Sequence, residues 1–134
     1  MPGYSGTPLP KKLGIKDGLR LFLIDAPSEV VVELKPSLEK CKLARDAKTP
    51  LDFAMLFTKS AASLKKEFAQ LAKNLAPTGM LWVSWPKKTS GVPTDLNENI
   101  VREIGLAAGL VDVKVCAVTE VWSGLKFVRR LKDR

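Results

Sequence analysis

Residues 51–85, LDFAMLFTKSAASLKKEFAQLAKNLAPTGMLWVSW, decide the fold. Leu51 to Thr58 is an almost unbroken apolar run of strand length, as expected of a strand buried on both faces. Ser60 is a helix N-cap residue, because its hydroxyl can accept from a free backbone N–H of the first turn. Leu64, Phe68, Leu71 and Leu75 then recur at helical spacing, while Lys65, Lys66 and Lys73 fall on the remaining faces; the pattern predicts a helix to about Leu75. Pro77 and Gly79 end it, and Gly79 to Trp85 reads as a second buried strand. Strand, helix, strand in this order is the unit of a parallel sheet with right-handed crossovers.

Working toward the N-terminus, Asp17-Gly18 is a turn and Leu19 to Asp25 a buried strand. Pro27 can open a short helix, although Val30, Val31 and Val32 are β-branched and weaken it. Lys40 to Ala44 reads as a short strand with no helix after it, which a parallel sheet allows if the second and third strands are not neighbours. Residues 1–18 read as an N-terminal arm in which Pro8 and Pro10 interrupt regular structure, leaving 19–134 as a single domain. Toward the C-terminus, Pro86 to Thr94 is a polar loop. Asp95 followed by Glu98 resembles a capping box. A helix follows with Ile100, Ile104, Ala107 and Ala108 facing inward, up to Gly109. Val111 to Cys116 is a strand, Trp122-Ser123-Gly124 a turn, and Leu125 to Leu131 the return arm of an antiparallel hairpin. The expected fold is a three-layer Rossmann-like α/β sandwich, with a mostly parallel sheet of about six strands ending in that hairpin.

Composition narrows the chemistry. The 134 residues include no histidine, so Ser-His-Asp and Cys-His mechanisms are excluded from the chain's own side chains. Cys41 and Cys116 form no CxxC pattern and read as reduced core thiols, with no structural zinc. Apolar runs fall far short of the ~20 residues needed to span a bilayer, and the first ten residues have no secretory h-region; a cytoplasmic protein is expected. Lys and Arg number 22 against 14 Asp and Glu, a net charge of +8 that favours an anionic ligand, nucleic acid or an acidic protein partner.

In open parallel sheets, ligands sit beyond the C-terminal strand ends. Those ends deliver Asp25, then Lys59 and Ser60 at a helix N-terminus, then Trp85, Lys87, Lys88, Thr89 and Ser90. Three lysines, hydroxyls and a helix N-terminus on one rim predict an anion site, with Trp85 as a stacking face. Trp82 and Trp122 are expected in the core or hairpin packing. Tyr4 to Pro10 is a further candidate, folding over a sheet edge to close the cleft or dock on a partner.

Asp52, the helix after it, Leu75-Ala76-Pro77-Thr78-Gly79 and Met80 to Val83 resemble the second half of class I methyltransferases that use S-adenosylmethionine, and the closing hairpin fits that fold. Over nearly the whole chain, Tyr4-Ser5-Gly6-Thr7-Pro8-Leu9, Lys11-Lys12-Leu13-Gly14-Ile15, Trp85-Pro86-Lys87-Lys88 and Trp122-Ser123-Gly124-Leu125-Lys126 are similar to a family of small bacterial proteins of unknown function. That resemblance implies a Rossmann-like core and no particular activity. The methyltransferase pattern wants a glycine-rich turn after the first strand, where this chain has Asp25-Ala26-Pro27-Ser28 and no glycine between Gly18 and Gly79. Asp46 stands where the family's ribose-binding acid would. No cofactor is therefore expected, and the leading expectation is a non-enzymatic binding module on a degenerate methyltransferase-like fold. The alternatives are an S-adenosylmethionine- or nucleotide-dependent enzyme with an atypical loop, using Asp25 and Lys59 for proton transfer, and a nonspecific nucleic-acid-binding protein.

Overall fold

A computed structural model describes residues 6–48 and 50–134. Strands β1 (Arg20–Ile24), β2 (Lys42–Leu43), β3 (Leu51–Phe57), β4 (Leu75–Pro86), β5 (Leu110–Ala117) and β6 (Trp122–Arg129) form one sheet in the order β2-β1-β3-β4-β6-β5. β2, β1, β3 and β4 run parallel; β6 is antiparallel to both β4 and β5. The chain leaves β1 on one side for β2 and returns on the other as β3, so no helix is needed between β2 and β3. The hairpin does not simply extend the edge: β6 enters the sheet beside β4 and β5 becomes the outer strand.

β3 and β4 read as continuous apolar runs because alternate residues feed two cores. Leu51, Ala54, Leu56, Leu81, Val83 and Trp85 pack with Leu64, Phe68 and Leu71 of α3 (Ala61–Lys73) and with Val101 and Ile104 of α4 (Glu98–Ala107). On the opposite face, Phe53, Met55, Phe57 and Trp82 pack with Leu9 and Leu13 of α1 (Leu9–Leu13) and with Val30, Leu34 and Leu38 of α2 (Ser28–Leu38).

Several local expectations change. Pro8 and Pro10 do not prevent structure: they sit at the N-cap and in the first turn of α1, where a missing N–H costs nothing. Gly14 ends α1 in the left-handed conformation at φ 82°. Buried Trp82 donates its indole N–H to the Leu13 carbonyl at 2.9 Å, which ties this segment to the sheet. Met1 to Ser5, including Tyr4, lie outside the described residues.

The α3 helix stops at Lys73, and β4 already begins at Leu75, with Pro77 and Gly79 inside it at an irregularity in the β3–β4 register. A Cβ on Gly79 would stand 2.6 Å from the Leu51 carbonyl oxygen, so glycine is needed there for close approach rather than for a stop. α4 is capped by Asn97, not Asp95: Asn97 Oδ1 accepts from the Ile100 N–H at 2.9 Å. Its buried residues are accordingly Val101, Ile104 and Gly105, while Ala107 and Ala108 are exposed. Trp122-Ser123-Gly124 is strand, not turn. The reversal lies just before it, where Thr119 Oγ1 accepts from the N–H groups of Val121 and Trp122.

Candidate functional site

Strand order reverses between β1 and β3, and a ligand crevice in an open α/β sheet lies beyond the C-terminal ends of the strands at that point. A cleft of about 410 Å³ is found there, lined by Asp25, Phe57, Thr58, Lys59, Ser60, Ser63, Glu67 and Trp122. Its size is in the range of small-molecule pockets.

Three of the expected residues meet in it. Asp25 directly follows β1 with φ at 56°, the one positive-φ non-glycine among the described residues, a conformation aspartate tolerates better than most side chains. Lys59 is exposed at the mouth, and Ser60 begins α3. The rest do not line it. Trp85 is 5% exposed and packed in the core over α3 and α4, so its ring offers no stacking face. Lys87, Lys88, Thr89 and Ser90 form the loop after β4, where the Ser90 hydroxyl is engaged with the Lys87 carbonyl at 2.7 Å and the Val92 N–H at 3.1 Å.

The α3 N-terminus is also already supplied with acceptors. Ser60 Oγ accepts from the Ser63 N–H at 3.3 Å, and Asp95 Oδ1 accepts from the Ala61 N–H at 2.8 Å. Thr94 Oγ1 donates to the Lys59 carbonyl at 2.7 Å and holds the Asp95 loop in place. The donor group expected to receive an anion is therefore met by a carboxylate of the same chain.

Sequence reading missed Glu67. It lies on α3, two turns in, and lines the same cleft as Asp25. Burial raises its pKa above the ordinary 4.5, the Asp25 carboxylate raises it further, and Lys66 opposes both. Helical spacing carried the signal: Ser60, Ser63 and Glu67 fall on one side of α3, adjoining the apolar positions. Phe57 and Trp122 form the cleft's aromatic wall, with ring centroids 5.3 Å apart and planes at 79°. A second depression of about 260 Å³ continues past Glu67 to Phe22, Ile24, Arg45 and Asp46.

The methyltransferase resemblance in the sequence implies S-adenosylmethionine, and the conventional mode of holding it does not fit. Only Ala26 and Pro27 separate Asp25 from the first residue of α2, Pro27 removes one donor, and its carbonyl is taken by the N–H groups of Val30 and Val31. Glu29 places an acid in the first turn of α2. Asp46 Oδ1 is engaged with the Lys48 N–H at 3.0 Å.

Among the described residues no group of three or more His, Cys, Asp or Glu is placed to hold a metal ion, and no helix is long and apolar enough to cross a membrane. Cys41 and Cys116 are free and half-buried.

No sequence-family model and no curated protein sequence matches the chain. Solved structures with the same fold do. Precorrin-6y C5,15-methyltransferase from Geobacter metallireducens GS-15 aligns with a TM-score of 0.61 at 12% identity, covering 91% of this chain and 86% of that one. A SAM-dependent methyltransferase from Aquifex aeolicus aligns with a TM-score of 0.58 at 16% identity, covering 87% and 85%. Magnesium protoporphyrin IX methyltransferase from Synechocystis PCC 6803 with bound SAM aligns at 0.59 and 12%, covering 91% and 74%. The chain is similar to methyltransferases in fold.

Proposed function

We propose that this chain is a small-molecule-binding protein on the methyltransferase fold, whose cleft takes a ligand with a cationic centre. The observation that carries this is the meeting of two carboxylates, Asp25 and Glu67, in a cleft walled by Phe57 and Trp122. A cation between them relieves their mutual repulsion. Lys59 at the mouth supplies a counter-charge for a carboxylate on the same ligand, which favours amino-acid-like zwitterions.

A thermal-shift screen tests this with S-adenosylmethionine, which carries a sulfonium, and S-adenosylhomocysteine, whose sulfur is neutral, alongside methionine and adenosine. A ligand at 100 times its dissociation constant adds about 2.7 kcal/mol of stability. The expected result is a rise with a cationic compound, smaller with its neutral analogue, and lost in Asp25→Asn and Glu67→Gln. Equal shifts with both sulfur compounds in the wild type and both variants would count against the cationic site.

The second reading, an adenosylmethionine-dependent enzyme using an atypical loop, draws support from the shared fold. It predicts transfer of labelled methyl from S-adenosylmethionine to an acceptor in a cell extract, which the binding reading does not.

A further inference from the structure

The crossover from β2 to β3 carries no helix among the described residues, so α3 is the first helix on its face of the sheet. β2 and β1 lie at the margin of that layer. Phe22 and Ile24 of β1, and Ala44 just after β2, turn toward the α3–α4 core, yet all three remain partly exposed. The other face of β1 differs: Leu21 is fully buried there with Val30 and Leu34 of α2. One face of β1 is thus closed and the other left open.

The depression of about 260 Å³ lies over this open margin. Phe22, Ile24, Ala47 and Leu71 supply its apolar surface, while Arg45, Asp46 and Gln70 are exposed at its rim. Glu67 lines both this depression and the cleft of about 410 Å³ that holds Asp25, so the two adjoin at that side chain. Apolar surface left beside a binding cleft gains free energy when hydrocarbon covers it.

We propose that the depression holds a hydrocarbon arm of the ligand whose cationic centre the cleft takes; this rests on the reading of Asp25 and Glu67 given above and adds a chemical class to it. The ligand is a cationic amphiphile. Its cation lies beside Asp25 and Glu67, and an aliphatic or arylalkyl arm runs past Glu67 onto Phe22, Ile24 and Leu71. A nucleoside suits the depression less well. A ribose laid on Phe22 and Ile24 would lose its water without gaining hydrogen-bond partners from them, and one Asp46 oxygen is already on the Lys48 N–H at 3.0 Å.

NMR titration with tetramethylammonium and with n-alkyltrimethylammonium ions from ethyl to octyl tests this. Each buried methylene is expected to tighten binding about fourfold until the depression is full. Asp25→Asn is expected to weaken every member by a similar factor and to keep that increment, whereas Ile24→Ser is expected to reduce the increment. A second measurement needs no variant: the terminal methyl of the bound octyl compound should give NOEs to Phe22, Ile24 and Leu71. Binding of tetramethylammonium with no gain from longer chains would overturn the arm and leave the cationic cleft standing. No binding by any member would overturn both. NOEs to Pro8, Pro10 and Pro36, which line a separate cavity of about 460 Å³, would place the chain elsewhere and overturn the proposal. Displacement of the octyl compound by adenosine would overturn it in favour of a nucleoside.

Discussion

Glu67 shows how one side chain sets the character of the cleft. Desolvation and the nearby Asp25 both disfavour its charge, so its pKa in the fold is raised and the folded state binds a proton more readily than the unfolded one. Its contribution is thus full at low pH and is lost as pH rises through the ordinary carboxylate range and on through the raised value. Glu67→Gln removes the titration. Urea unfolding from pH 4 to pH 7 should show the variant gaining on the wild type as pH rises; a difference that does not change with pH would refute this. Gly105 is decisive in another way: a Cβ there would stand 2.1 Å from the Phe127 ring, so the core tolerates no side chain at that point of α4. Neither role is written in local sequence. Glu67 reads as one more solvated helix charge, and Gly105 as an ordinary weak spot in a helix, until the opposing strand is known.

The βαβ unit was legible because its apolar spacing and the Ser60 cap agree, and α3 forms where both point. Boundaries were less so. Asp95 looks like the cap of the helix that follows it, but its carboxylate reaches back across 34 residues to cap α3 instead, leaving Asn97 to cap α4. Sequence cannot separate two acceptors two positions apart when one of them has a distant donor. Asp95→Ala should cost about 1 kcal/mol of stability, while Asp95→Asn, which keeps an acceptor, should cost much less. Chemical denaturation measures both, and similar losses would deny Asp95 a capping role. Of the expected rim, Asp25, Lys59 and Ser60 come together because they follow β1 and β3 on either side of the reversal of strand order. The residues after β4 belong to a loop closed on itself, and Trp85 is drawn inward by strand alternation.

At the scale of the molecule, the two layers differ in how they are held. The α3–α4 face is an extensive apolar core, whereas α1 is a single turn and a half that depends on partners far along the chain: Trp82 for the Leu13 carbonyl, and Lys114 and Ala117 for Lys12. Trp82→Phe leaves the buried Leu13 carbonyl without its donor, at a cost of about 1–3 kcal/mol. Limited proteolysis should then cut near residues 6–14 sooner than in the wild type; an unchanged cutting pattern would mean that packing of Leu9 and Leu13 alone retains the segment. Net charge, apolar burial and strand alternation all told of a basic α/β domain, but the place of the charge depended on which strands became neighbours. That order was not readable from the hairpin itself.

The position of β6 also bears on how the protein is made. Synthesis proceeds from β1 onward, yet the strand that joins β4 to β5 is the last of the six to leave the ribosome. Until it does, β4 offers an open edge with apolar side chains on both faces, and β5 has no strand to pair with. α1, although translated first, must also wait for its clasp on β5. The nascent chain is therefore at its most adhesive just before β6 emerges, and closure of the sheet is a late event in the folding of this domain.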